Sequence, residues 1–307
     1  MKGAIVTVFS KRRERYLPFY IPALRSYLEK TSQELDIIVS EQIDYNTTFN
    51  FNISANVGLR AAFESLNCDY AIIVGPDNIP LEKVDYSWSG KNETSFLMYG
   101  GYKIDKNSFY KSNGNNVFMG WGWGWQDVEF YDRLDFYGIL HEAWYTKQAA
   151  IESKIIDLSS RTNTERSSID QWIQGRHGIT LDQVPKILPP HEAGVNFEPY
   201  EENYWYSNIV KEAHINLSYI IRHLPPEERE RYYSVSGYKS INMNNVKHSR
   251  EEGVNYFRYN THDVFSDSNS YPEIKFPISK RALENSPRIK ELEYQLVGGK
   301  IVKLDFL

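Results

Sequence analysis

Residues 118–130 read FMGWGWGWQDVEF, so that Trp121, Trp123 and Trp125 alternate with glycines and lead into Gln126, Asp127 and Glu129. Each indole carries a large apolar face and an N–H that wants a partner. The glycines between them supply no packing and favour strained turns or close approach of backbone to a ligand. Two readings follow: a loop wrapped round a ligand, or a bulky turn packed on the core. The pattern QDVEFYDRLDFYG at 126–138 predicts a helix, which puts Gln126 and Asp127 at its N-terminus. Backbone N–H groups and the helix dipole favour negative charge there, so Asp127 is either an N-terminal cap or a working carboxylate. Asp77, in GPDNIP at 75–80, has a similar choice. It is a turn former, or a ligand-binding carboxylate beyond the end of a strand, where parallel sheets bind their ligands.

The elements that must position these groups read as an α/β domain. GAIVTVF at 3–9, LDIIVS at 35–40 and YAIIVG at 70–75 are short apolar, β-branched runs suited to buried parallel strands. Between them, from Glu14 to Lys30, apolar residues recur at helical spacing (Tyr16, Leu17, Tyr20, Ile21, Leu24, Tyr27, Leu28), and ISANVGLRAAFESL at 53–66 reads as a second helix. Strand, helix, strand, helix, strand predicts a largely parallel sheet with right-handed crossovers. TSFLMYGG at 94–101 is a further strand closing on a glycine pair.

After about Trp144 the pattern changes. The division expected is a nucleotide-binding and catalytic core at 1–144, a helical insertion at 145–240, and a C-terminal part at 241–307 that returns to the catalytic domain. The insertion holds a Pro-rich break, PKILPPHEAG, an amphipathic helix, NYWYSNIVKEAHINLSYIIRHL, and a helix led by prolines, PPEERERYY. Its Tyr and Trp residues either pack or form an acceptor-binding surface. KIVKLDF at 300–306 predicts a last strand.

Composition narrows the function classes. The chain has 307 residues, a formal charge of -5 and a single cysteine, Cys68. The charge argues against a protein built to grip nucleic acid. One thiol excludes an internal disulfide framework and a zinc site of several thiolates. The apolar run at the start is too short for a signal peptide, and no stretch reaches the roughly 20 apolar residues of a membrane helix. A cytoplasmic protein is expected, with contact to a membrane surface only through its partner or substrate.

Seven segments in order carry a resemblance: AIVTVFSKR, FNFNISANVG, IIVGPDNIP, MYGGYKIDKNSFYKSNG, GWGWGWQDVEFYDRL, KHSREE and FSDSNS. Together they resemble the β-1,4-galactosyltransferase family, inverting nucleotide-sugar transferases with the GT-A fold, a Rossmann-like nucleotide-sugar-binding α/β fold. The match covers most of 1–138 and roughly 245–270. The resemblance implies that Phe9, Arg12, Phe49 and Asn50 lie against the uridine and diphosphate of a UDP-sugar. Gly100, Gly101 and Gln126 fall on the donor side as well. It makes Asp77 the metal aspartate of the family's DVD element, His248 the metal histidine of its RHSR, and Asp127 the catalytic base. Trp123 packs where donor and acceptor sugars meet, with Val128 beside it on the acceptor side.

The chemistry independently asks for such groups. A departing diphosphate gathers negative charge that Mn2+ or Mg2+ can neutralise, and an imidazole among oxygen ligands tilts the choice to Mn2+. The acceptor hydroxyl needs a general base. Sugar rings stack their C–H faces on indole.

This chain departs from the family at four places. Gly75 replaces the first DVD acid, and Gln126 and Val128 replace acids beside the base. Met98 replaces a tyrosine that limits donor size, so N-acetylgalactosamine competes with galactose as the expected donor sugar. Asn245 and Val246 precede the histidine, Asn245 offering a carbonyl oxygen to the metal. Counted from Gly138 without an insertion, the family's MIRHSR falls instead on IIDLSSR, which lacks a histidine. His248 is preferred because FSDSNS follows it.

The expected activity is a metal-dependent, inverting transfer of galactose or N-acetylgalactosamine to a glycan or lipid-linked oligosaccharide. The alternative is a non-catalytic sugar or nucleotide-sugar binding protein on the same fold, to which Gly75, Gln126 and Val128 lend support.

Overall fold

A computed structural model describes residues 1–10, 17–44, 49–76, 78–80, 86–88, 95–96, 101–117, 126–139, 155–157, 221–222 and 225–264. Its centre is β1 (Gly3–Ser10), buried at all eight positions. A strand covered on both faces needs apolar side chains pointing both ways, and GAIVTVF provides them. β2 (Leu35–Gln42) and β3 (Tyr70–Val74) flank β1 in parallel, with Gly3 opposite both Leu35 and Tyr70. Helix α1 (Leu17–Thr31) connects β1 to β2, and α2 (Phe51–Arg60), extended by a wider π turn at Ala61–Ser65, leads to β3.

Alternation along the strands sorts the core into two layers. Ala4, Val6 and Val8 face α2, whereas Ile5 and Phe9 face Tyr20, Leu24 and the rest of α1. Gly58 explains how closely α2 lies on the sheet: a Cβ there would come within 2.3 Å of the Val6 side chain.

Antiparallel strands complete the sheet. β4 (Asn78–Pro80) follows β3 but leaves the main sheet, while β5 (Ser95–Phe96) and β6 (Tyr102–Asp105) add beyond β3. After β6 come α3 (Lys106–Ser112) and α4 (Gln126–Phe136). β7 (Ile155–Asp157) pairs with β4, and α5 (Pro226–Val235) precedes the hairpin of β8 (Lys247–Glu251) and β9 (Val254–Tyr259), followed by the short α6 (Thr261–Val264). β9 runs parallel to β2, so the main sheet reads β5-β6-β3-β1-β2-β9-β8.

The three parallel strands, the first two helices and the helix from Gln126 all occur where the periodicity put them. The expected 145–240 segment is joined to the core at both of its described ends, through β7 on β4 and through α5, whose Tyr233 packs against Phe136 of α4. Most of the amphipathic helix, the Pro-rich break and the strand expected at 300–306 lie outside the described residues.

Candidate active site

The carboxyl ends of β1, β2, β3 and β9 share one edge of the sheet, and the antiparallel β6 and β8 begin there. Ser10 stands opposite Gln42 there, while β3 ends at Val74, opposite Thr7, and leads into Gly75. α4 reaches the same edge, because Phe130, one turn after Asp127, packs on Tyr102 at the start of β6 with ring centroids 4.9 Å apart. Gln126 and Asp127 are the first two residues of that helix.

What holds the helix in place is a set of polar contacts that the motifs did not announce. α3 ends on Asn113, which adopts a left-handed conformation with φ 60°, followed by Gly114 at φ 66°. Two consecutive left-handed residues reverse the chain sharply, and glycine is needed at the second: a Cβ on Gly114 would lie 2.6 Å from Asn56 Oδ1. The stem that follows, 115–117, is laid along α2. Three asparagine amides of that region donate to three successive carbonyls, Asn56 to Asn115 (2.8 Å), Asn52 to Asn116 (2.8 Å) and Asn50 to Val117 (3.2 Å). Asn56 Oδ1 also accepts from the Asn115 backbone N–H at 2.8 Å. Buried backbone groups must find partners, and this irregular stem finds them in side chains.

On its other side the stem meets the end of α5. Val117 N–H donates to the Ser236 carbonyl (2.8 Å), and Asn113 Nδ2 donates to the carbonyls of Tyr233 (2.7 Å) and Ser234 (3.0 Å). Gly237 sits so close that a Cβ would fall 1.7 Å from the Asn113 carbonyl oxygen. α4 is tied to the same place. Arg133, wholly buried, forms an ion pair with Glu129 at 2.8 Å, donates to Ser236 Oγ at 2.7 Å, and lies over the Tyr233 ring at 4.6 Å. Burial pushes the Glu129 carboxyl above its ordinary range, against the opposing pull of the Arg133 charge. The described residues on either side of 118–125 are thus tied to one buried set of contacts at Ser236.

No family model matches the chain. In sequence it is 29% identical over 153 residues to β-1,4-galactosyltransferase 5 of Danio rerio and 30% identical over 151 residues to β-1,4-galactosyltransferase 7 of Homo sapiens. Those matches cover 45% and 44% of this chain but 39% and 44% of the relatives, so the chain spans less than half the length of the curated relatives it matches. In structure it matches the catalytic domain of Drosophila β1,4-galactosyltransferase 7 complexed with xylobiose, with TM-score 0.50 and 16% identity over 84% of this chain and 92% of that one. A mutant of the Drosophila enzyme, complexed with manganese, UDP-Gal and xylobiose, matches with the same TM-score over 85% and 93%. This chain is similar to the β-1,4-galactosyltransferases in both sequence and fold.

The α/β fold expected is therefore the one observed, that of a galactosyltransferase catalytic domain. The individual site residues fare differently. Phe9 is 2% exposed and belongs to the core under α1. Asn50 is buried as the N-cap of α2, its Oδ1 accepting from Ile53 N–H at 2.9 Å while its own N–H donates to Gln42 Oε1 at 3.0 Å. Its side chain organises the stem. Phe49 and Val128 are half-buried, and Gly101 is buried at the edge between β3 and β6. Arg12, Asp77, Met98, Gly100 and Trp123 lie outside the described residues, as do the side chains of Gln126 and Asp127.

His248 and Asn245 lie at the opposite side of the sheet from β3, the strand that precedes the Asp77 segment. His248 is exposed on β8, stacked on Phe257 at 4.4 Å with an interplanar angle of 8°. Among the described residues β8 is the outermost strand, four strand positions from β3, which at about 4.8 Å per strand is ~19 Å. Asn245 is exposed in a 3-10 turn and donates its amide to the Asp263 carbonyl. The strand that does stand beside the Asp77 segment is β7, with Asn78 opposite Asp157. β7 lies in the segment IIDLSSR, on which the family's MIRHSR falls when counted from Gly138 without an insertion. KHSREE matched as a string, but a charged run is also what an edge strand carries to discourage further pairing. Among the described residues no group of three His, Cys, Asp or Glu side chains could hold a metal ion.

Proposed function

We propose that this chain is an inverting glycosyltransferase that uses a divalent cation to move galactose, or N-acetylgalactosamine, from a UDP-sugar to a hydroxyl of a glycan acceptor. The observation that carries this reading is the docking of α4, which begins Gln126-Asp127, at the carboxyl edge of the sheet. A domain of similar fold has been captured with UDP-Gal, manganese and xylobiose.

In this reading Asp127 accepts the proton of the acceptor hydroxyl as that oxygen attacks the anomeric carbon. The bond from that carbon to the diphosphate oxygen breaks as the new bond forms on the opposite face, so the configuration inverts. A helix N-terminus favours negative charge, which suits a carboxylate acting as base. Trp123 offers its indole face to the sugar rings. β7, which ends in Asp157, pairs with the strand that follows Asp77, and a hard cation prefers oxygen ligands. Asp77 and Asp157 would hold Mn2+ or Mg2+, which when bound neutralises charge on the diphosphate.

The test is a panel of UDP-sugars, read as manganese-dependent hydrolysis and as thermal stabilisation by UDP. Hydrolysis of UDP-galactose or UDP-N-acetylgalactosamine, lost in chelator, is the expected result. Stabilisation by UDP without turnover of any sugar or acceptor would make the chain a binding protein, and neither response would remove the nucleotide-sugar reading.

A further inference from the structure

Ser236 is the residue where the two ends of the tryptophan loop meet. Its backbone carbonyl accepts from Val117, the last described residue before the loop, and its hydroxyl accepts from Arg133 on the helix that follows the loop. Ser236, Arg133 and Glu129 are each at most 1% exposed, so water does not compete for these bonds. Ser236 is itself held, as the residue after α5, by its N–H donating to the Tyr232 carbonyl at 3.1 Å. The neighbouring Gly237 lets it approach the Asn113 turn.

Resting on the proposed function, we infer that Ser236 is a positioning residue that sets where Asp127 stands, acting through Arg133. The physical argument is leverage. Arg133 lies six residues beyond Asp127 on one 11-residue helix, which at 1.5 Å rise per residue is about 9 Å along a rigid rod. A rod fixed at its middle by a charge-assisted hydrogen bond transmits that fixation to its first turn. Loosening the bond lets the start of α4 shift relative to the stem, and small displacements of a catalytic group cost rate far more than they cost binding. In the proposed reading the uridine and diphosphate would be bound beyond the carboxyl ends of β1, β2 and β3, away from the bonds of Ser236 to Val117, Arg133 and Tyr232.

The test compares the wild-type chain with Ser236→Ala, Ser236→Thr and Arg133→Lys by two measurements. One is kcat and KM for manganese-dependent UDP-galactose hydrolysis, and the other is amide hydrogen exchange of peptides covering 118–133. Ser236→Ala is expected to lower kcat about tenfold with KM changed less than about twofold, and to speed exchange at 118–133 but not in β1 or β2. Ser236→Thr, which keeps the hydroxyl, is expected to restore most of kcat. If Ser236→Ala does not fold, Arg133→Lys tests the same bond, because it keeps the charge beside Glu129 but shortens the reach to Ser236. Unchanged kcat and exchange, or a uniform rise in exchange across the sheet, overturns the inference. If the wild-type chain turns over no UDP-sugar, the functional reading falls alone. The exchange comparison then decides the role of Ser236 by itself.

Discussion

At the carboxyl edge of the sheet, the stem at 113–117 and the β8–β9 hairpin treat polar side chains in opposite ways. In the stem the polar side chains are buried and partnered: Asn50, Asn52 and Asn56 donate to its carbonyls, its own Asn113 donates to carbonyls of α5, and Asn116 donates to the Tyr232 hydroxyl. The hairpin leaves His248, Lys247 and Arg250 exposed, and its charged contacts are partly wet: Arg258 reaches Glu41 and Glu251 at 2.8 Å each, with Glu251 half exposed. The hydrogen bond from Arg258 draws the Glu251 carboxyl below its ordinary range, yet solvent screens such a contact. Both regions carry stretches that look like working motifs. In the stem the buried side chains hold irregular backbone, so that a displaced asparagine would leave main-chain groups unsatisfied, and the stem is the region joined to the Asp127 helix.

The comparison can be broken at several points. Asp127→Asn is expected to have the largest effect, cutting transfer roughly 10²–10⁴-fold while UDP-induced thermal stabilisation survives. Retained transfer would take the base role from Asp127. Arg133→Met strands the Glu129 carboxylate in the core and should cost about 3–5 kcal/mol of stability. Urea unfolding measures this, and a loss near zero would mean that the frame around α4 is not rigid. Asn56→Ala orphans the Asn115 backbone N–H and carbonyl, at about 1–3 kcal/mol for each group left unpaired. Equal stability of that variant would show that water replaces the side chain.

Two smaller effects sharpen the contrast. Burial pushes the thiol of Cys68, between the π turn that extends α2 and β3, from 9.0 up to about 11. The folded chain therefore keeps a proton that the unfolded chain loses. This linkage is silent below pH 9 and removes stability as pH rises from there to about 11, so native alkylation by iodoacetamide should be slow at pH 8 and accelerate towards pH 11. Fast labelling at pH 8 would place Cys68 in contact with solvent. His248→Ala, on the hairpin, should change stability by no more than about 0.5 kcal/mol and leave the manganese response as it was. A lost manganese requirement would return His248 to the metal site.

Much of this was legible before any coordinates. The three parallel strands, the two crossover helices and the helix starting at Gln126 follow from periodicity, because each must bury a face whose spacing its own geometry sets. The order of seven short segments pointed to the galactosyltransferase fold. The asparagines at 50, 52 and 56 and the run Asn113, Asn115, Asn116 were visible as well. Their density next to one turn was the available signal that an irregular stem needed side-chain partners. Nothing local said which carbonyl each would meet.

The same limit explains His248. Strand periodicity does not say where a strand enters a sheet, and KHSRE read alone fits an edge strand as well as a ligand loop. By itself the sequence determined which segments are strands and helices, which side chains must be buried, and that Asp127 opens a helix behind a tryptophan-glycine loop. Only the tertiary structure decided that β8 lies at the far edge, that β7 stands beside the Asp77 segment, and that Ser236 joins both ends of that loop. Those are contacts between residues tens to hundreds of positions apart. They are set by how whole faces pack and by which buried polar groups still need partners, and neither is encoded in the spacing of neighbours along the chain.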